Sequence, residues 1–252
     1  MSAPSPAGEG RGGGAIDPDL ELSLCLIVRD EAPRLRRCVE SFGEIFDELI
    51  IVDTGSVDGT QDVARDLLRG RAGRLETFPW IDDFAAARNF ACSLCRAPWI
   101  LMVDGDEALA PGSSPRVILD EVRRTPPDVK NLLLTDLTVH QGEVVLAHPV
   151  NRLFRNDPTV RWAGRIHETL TVDGRAQRQT AIQLVHDNAQ KRVDGGRLPR
   201  ERSEMYRVGL EEDALAEPSN ARHLFYLGNT LAERHDAAGA ARAYREYLAL
   251  VG

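Results

Sequence analysis

Three apolar runs of strand length divide the first hundred residues: Leu22–Val28, 47–53 and Trp99–Asp104. Each is nearly continuous rather than alternating, which reads as a strand buried on both faces. A shorter run over 74–78 adds a fourth strand. Helical periodicity fills the intervals. Pro33 suits a first helical turn, and Leu35, Cys38, Val39 and Phe42 then recur on one face. Asp58 can cap a helix over 59–68. In the segment 84–95, Phe84, Ala87, Ala91, Leu94 and Cys95 share a face, with Arg88 about 40° from Phe84 at its edge. An arginine there either snorkels to solvent or serves a bound anion. Strands alternating with helices as far as residue 106 imply right-handed crossovers and a largely parallel sheet.

Beyond residue 106 the pattern changes. A helix is expected over 111–124, ended by Pro126-Pro127, and a strand over 132–139. Shorter strands over 144–146, 152–154 and 183–185 suggest a mixed, partly antiparallel extension. From Leu198 the chain turns helical, with helices over 220–234 and 237–250 joined around His235-Asp236. Leu224, Leu227, Gly228, Leu231, Ala240, Tyr244 and Tyr247 fall where a tetratricopeptide repeat packs. One repeat cannot bury its own faces, so this hairpin must dock on the preceding domain, on a partner or on a second copy in a homodimer. The domains expected are a disordered lead-in over 1–20, an α/β domain over 21–196 and a helical segment over 197–252.

Composition narrows the functions. The 252 residues carry a net charge of −8, which argues against a general nucleic-acid binder. No apolar run reaches the ~18–20 residues of a membrane span. Residues 1–14 are rich in Gly, Pro, Ser and Ala without an apolar core, so they are not a signal peptide, and a cytoplasmic protein is expected. Gly12-Gly-Gly follows no strand and precedes no Lys-Ser/Thr, unlike a phosphate loop. Cys92 and Cys95 have redox or zinc-pair spacing, but no second pair completes a zinc site. With Cys25 in a strand and Cys38 in a helical pattern, the four cysteines read as reduced and structural.

The chemistry gathers at strand ends. The run from Trp99 ends in Asp104-Gly-Asp106-Glu107, and the run before it ends in Asp53. Carboxylates at the carboxyl edge of an open α/β sheet stand where such folds bind ligands. Asp104 and Asp106 can point to one side of the strand end. Held together they repel, and a hard divalent cation that also takes phosphate oxygens suits them. A solvated acidic turn is the alternative.

Several stretches in order resemble family 2 glycosyltransferases of the GT-A fold: Leu22 to Glu31, Glu48 to Thr60, Ala85 to Asn89, and Val103 to Glu107. Trp80-Ile-Asp-Asp-Phe84, Arg152-Leu-Phe-Arg-Asn156 and Gly164-Arg-Ile-His-Glu168 are similar to a branch with tetratricopeptide-like helices that includes peptide glycosyltransferases. The resemblance implies a GT-A domain, a Rossmann-like mixed sheet flanked by helices, with a C-terminal helical hairpin. It implies a metal-dependent, inverting transferase acting on a nucleotide sugar, with UDP-sugars the leading donors and Mn²⁺ or Mg²⁺ the cofactor. The acceptor would be a hydroxyl or thiol of a peptide, saccharide or small natural product.

By the same resemblance, Asp53 binds the base or ribose with Glu31 beside it, although helix capping or a surface turn would also account for both. Arg88 and Asn89 would face the diphosphate. Asp104 would contact the ribose or a metal-bound water, and Asp106 would bind the metal. Gly105 would keep the backbone close to the ligand. Inversion needs a base opposite the diphosphate. Glu168 is the candidate, unless it accepts a structural bond from Arg161 or Arg165. His186 would complete the metal shell, unless it is an ordinary strand-end histidine. Asp187-Asn188 after it departs from the glycine and aromatic residue usual in the branch. Two other classes compete. A nucleotidyltransferase would need a Gly-rich basic loop where this chain has Val28-Arg-Asp-Glu31. A non-catalytic binding module would not need Asp53, Asp104, Asp106 and Glu168 together.

Overall fold

The computed structural model describes residues 15–140, 143–172, 176–186 and 200–252. Most of the expected lead-in, Asp187-Asn188 and the expected boundary at 196/197 lie outside the described residues. Four parallel strands form the first half of the sheet: β1 (Leu22–Val28), β2 (Glu48–Asp53), β3 (Gly73–Thr77) and β4 (Trp99–Asp104). Helices α1 (Ala32–Ser41), α2 (Thr60–Leu67) and α3 (Phe84–Ser93) connect them. Every residue of β1 and β2 is buried, as their unbroken apolar runs require.

The remaining strands are β5 (Glu107–Leu109), β6 (Asn131–His140), β7 (Glu143–Arg155), β8 (Arg161–Ala163), β9 (Thr169–Thr171) and β10 (Gln177–His186), with α4 (Arg116–Arg124) between β5 and β6. The main sheet runs β3-β2-β1-β4-β7-β6-β10-β5, and β8 pairs with β9 in a separate ribbon. β7 is antiparallel to β4 and β6, while β10 is parallel to β6 and antiparallel to β5. The mixed extension is therefore present. The two short strands expected over 144–146 and 152–154 are one strand of 13 residues. The expected helix over 111–124 begins only at Arg116.

Two apolar layers sandwich the sheet. One joins Leu24, Leu26, Leu49 and Ile51 to Leu35 and Val39 of α1 and to Phe42 just after it; the other joins Cys25, Ile50, Ile100 and Met102 to Ala87 and Ala91 of α3. Three helices follow: α5 (Arg200–Ala216), α6 (Ala221–Glu233) and α7 (Ala237–Val251). Asn220 and Asp236 cap α6 and α7 through their side chains. A Cβ at Gly228 would stand 2.4 Å from the Tyr244 ring, so glycine sets how closely these two helices approach. Their core contains Leu210, Leu227, Leu231, Ala240 and Ala243, and also Ile166 from the loop between β8 and β9. Among the described residues no helix is long and apolar enough to cross a membrane.

Candidate active site

Asp53 and Asp104 both end strands that flank β1, aligned with Val28 and Ile27 respectively. Asp53 is buried. Its Oδ1 accepts hydrogen bonds from the backbone N–H groups of Gly55 (3.0 Å) and Ser56 (3.1 Å) and from Gln61 Nε2 (3.1 Å). Gly55, at φ 109°, lets the chain fold back beneath the carboxylate. Burial pushes this carboxyl upward, but the bonds from Ser56, Gln61 and Gly55 outweigh it and leave the group below its ordinary value. Oδ2 is buried and accepts no hydrogen bond among the described residues. A buried acceptor without a donor is costly, so this atom suits an N–H or O–H of a ligand.

Glu31 is buried, and its Oε2 accepts from Arg34 Nε at 2.8 Å. A Cβ at Gly105 would lie 2.8 Å from Glu31 Cγ. The missing side chain of Gly105 makes room for Glu31, which sits between the turn after β4 and the start of α1. The carboxylate of Asp58 reaches two helix starts, accepting from Ala32 N of α1 (3.1 Å) and Thr60 N of α2 (3.0 Å).

The positive charge that two close carboxylates require comes from side chains distant in sequence. Arg88 Nη2 donates to Asp104 Oδ1 at 2.8 Å, and Arg88 Nε donates to Glu168 Oε1 at 2.6 Å. The Arg88 guanidinium is buried, lies 4.9 Å from the Trp162 ring, and leaves Nη1 without an acceptor among the described residues. Burial works against its charge, but Asp104 and Glu168 more than restore it and raise its pKa. Arg152, on β7, donates from Nη2 to Asp104 Oδ2 at 2.6 Å and grips Glu107 with Nε and Nη2. Glu107 is fully buried and also accepts from Asp104 N at 3.0 Å. Glu168, Arg88, Asp104, Arg152 and Glu107 thus form one line of alternating charge.

Asp106 faces other partners. Its Oδ2 lies 2.9 Å from His186 Nε2, and its backbone oxygen accepts from Arg37 Nη2 at 2.9 Å. His186 Nδ1 is 3.5 Å from Asp136 Oδ2. The β10–β5 register sets His186 opposite Glu107, and ligand atoms of Glu107, Asp136 and His186 all fall within 4.8 Å of one another. Burial lowers the His186 imidazole, but Asp106 and Asp136 outweigh it and raise it to about 10. Asp136 Oδ1 is buried and accepts no hydrogen bond among the described residues. Two carboxylates and one imidazole close together, with the Asp106 carboxylate on the imidazole's Nε2, form an oxygen-rich donor set that fits a hard divalent cation. His186 would yield its proton to such an ion.

The expected site residues divide into groups. Arg88, Asp104 and Glu168 are in direct contact, and Asp106 meets His186. The arginine on Glu168 is Arg88, not Arg161 or Arg165. Arg161 donates to the backbone oxygens of Asp157 and Val160, and Arg165 pairs with Glu212. The Asn89 amide is taken up by Trp162, donating to its oxygen at 2.9 Å and accepting from its N–H at 3.0 Å. Asn89 therefore anchors β8 to α3. Sequence reasoning gave no role to Glu107, Asp136 or Arg152. Their signal was present: each is a charged residue at or inside an apolar strand.

Residues 23–132 match the family described as glycosyl transferase family 2. Over that segment the chain is similar to family 2 glycosyltransferases. A TPR repeat-containing protein of Synechococcus elongatus is 39% identical over 153 residues, which is 59% of this chain and 35% of that protein. The glycosyltransferase SunS, from the SPbeta prophage of Bacillus subtilis, is 23% identical over 82% of this chain and 48% of its own length. The chain therefore spans about a third to a half of the length of these curated relatives. Among solved structures, Staphylococcus aureus TarS 1-349 in complex with UDP-GlcNAc superimposes with a TM-score of 0.50 at 13% identity. That match covers 86% of this chain and 73% of TarS 1-349, and the shared fold is GT-A.

Proposed function

We propose that the protein is a metal-dependent, inverting glycosyltransferase that moves a sugar from a nucleotide-sugar donor, a UDP-sugar first, to a hydroxyl or thiol acceptor. The observation that carries this reading is the pairing of two sites on one sheet edge: the open Asp53 oxygen, and the Asp106, Glu107, Asp136 and His186 set. Strands in a sheet are about 4.8 Å apart, so β2 and β4, on either side of β1, stand about 10 Å apart. A base or ribose at Asp53 then leaves its diphosphate near the second set. Glu31 lies between them. The acceptor side is consistent with a peptide, and the C-terminal helices are read as tetratricopeptide-like.

A divalent cation bound by Asp106 and His186, with Glu107 and Asp136 around them, would supply Lewis-acid stabilisation to the departing diphosphate. The other steps fall to this chain's own side chains. Asp53 accepts from the nucleoside and orients it. Asp104, held by two arginines, is fixed toward the ribose. Glu168 takes the acceptor proton on the face opposite the leaving group, and its Oε1 is held by Arg88. Arg88 thus couples the base to Asp104, and its remaining Nη1 is a donor for a phosphate oxygen.

The test is a screen of UDP-, GDP-, ADP- and CMP-sugars with Mn²⁺ or Mg²⁺, measuring nucleotide release, with the best donor then offered to peptide and saccharide acceptors. Metal-dependent UDP release is expected. Silence with every donor would leave a binding module of the same fold, and pyrophosphate release from nucleoside triphosphates would indicate a nucleotidyltransferase.

A further inference from the structure

The loop over 164–168 joins β8 to β9; α3 holds it through Phe84 N, which donates to Arg165 O at 2.9 Å, and the C-terminal helices supply most of the other contacts. Gly164, at φ 90°, leaves space that a Cβ would close to 3.5 Å from His223 on α6. Arg165 N donates to Asp213 Oδ2 of α5 at 2.7 Å. Ile166 is buried with Leu210, Leu227 and Leu231. A Cβ at Gly209 would stand 2.7 Å from Ile166 Cγ1, so glycine brings α5 onto this side chain. The His167 ring stacks on Tyr226 of α6, with centroids 4.0 Å apart and planes 20° apart, and meets Tyr206 of α5 edge-on at 5.5 Å. Arg222 donates to His167 O at 3.4 Å and lies over the same Tyr226 ring.

His167 adopts a left-handed backbone, φ 54°, which a side chain other than glycine rarely takes without being held there. The reversal sends Ile166 into the helical core and Glu168 the other way, onto Arg88. From these contacts we propose that α5 and α6 position Glu168, with the stack of His167 on Tyr226 as the contact that fixes it. His167 and Tyr226 are positioning residues, acting through Glu168 without touching the reacting atoms. The inference rests on the reading of Glu168 as the base, and makes the helical segment part of the active-site machinery.

The test uses the full chain with Tyr226→Ala and Tyr226→Phe. Hydrogen–deuterium exchange reads the loop directly. Tyr226→Ala should speed exchange of the 165–168 amides about tenfold while β1, β2 and β4 stay as in the parent, because only local opening is made easier. Tyr226→Phe keeps the stacked ring and should restore the parent pattern. In UDP release from a pool of UDP-glucose, UDP-galactose, UDP-GlcNAc and UDP-GalNAc with Mn²⁺, Tyr226→Ala should lower kcat about tenfold and leave donor KM within about twofold. Unchanged loop exchange in Tyr226→Ala would overturn the proposal. So would a Tyr226→Phe variant as impaired as Tyr226→Ala, or a parallel loss of kcat, donor affinity and denaturation midpoint. Glu168→Gln is run beside them: parent-level UDP release from it would remove Glu168 as base, while loop exchange still decides the positioning.

Discussion

Replacing Arg152 by methionine tests the charged line beneath the site. The Arg152 side chain is 12% exposed and that of Glu107 is 1% exposed, so this pair is solvated far less than a surface ion pair. Methionine keeps most of the stem volume but removes the guanidinium. Asp104 would still have Arg88, whereas Glu107 would keep only the Asp104 N–H as a donor among the described residues. Breaking a buried pair from one side costs about 3–5 kcal/mol, because the remaining charge stays buried and uncompensated. That is a large share of the ~5–15 kcal/mol that holds a typical domain together. Urea denaturation followed by tryptophan fluorescence, with chelator present to remove divalent ions, measures the loss. The double variant Glu107→Gln with Arg152→Met removes the stranded charge and keeps an acceptor for Asp104 N, so it should recover most of the stability. A single variant within about 1 kcal/mol of the parent, the range of exposed pairs, would refute the account.

Three further outcomes follow from the geometry. Asp106→Asn should abolish the Mn²⁺ dependence of UDP binding in calorimetry, and unchanged enhancement by Mn²⁺ would take Asp106 out of the metal set. Gly228→Ala should lower stability by about 1–3 kcal/mol, as overpacking at a tight helix contact does, since the new Cβ would meet the Tyr244 ring at 2.4 Å; an unchanged melting temperature would count against the close approach of α6 and α7. Asp157 is held down to about 2 by Thr159, which donates through both its hydroxyl and its N–H, and by Lys130. A carboxyl depressed on folding contributes stability that is complete above its unfolded value of 3.8 and lost as pH falls toward about 2. Asp157→Asn should therefore be less stable than the parent at neutral pH, with the gap closing across that window, and a gap constant with pH would contradict the assignment.

How far the sequence revealed the molecule depended on whether the signal was local. β1, β2 and β4 are buried on both faces, so each is an uninterrupted apolar run that can be read directly. β7 is equally regular in backbone but carries His148, Pro149, Asn151 and Arg152 in mid-strand, and its exposed first half follows no burial pattern. It therefore read as two fragments. β5 has three residues immediately after the β4 turn and takes its strand character from pairing with β10, 75 to 79 positions away along the chain. The candidate site behaves similarly. Asp53, Asp104 and Asp106 mark themselves by ending apolar runs. Which groups pair with Asp104 and Asp106 is not legible there, because Arg88, Arg152 and His186 reach them across 16, 48 and 80 positions. Asn89 is a motif residue whose amide also holds β8, a contact that no local pattern signals.

Ile166 belongs to the core of the helices although it is encoded well before them. That bears on how this architecture can recombine. A chimera joining the sheet of one relative to the helices of another would break its own core unless the exchange also carried the 164–168 loop. The helical segment is thus not a freely exchangeable cassette, and the unit that can be inherited or engineered intact has a part embedded inside the sheet domain's own sequence.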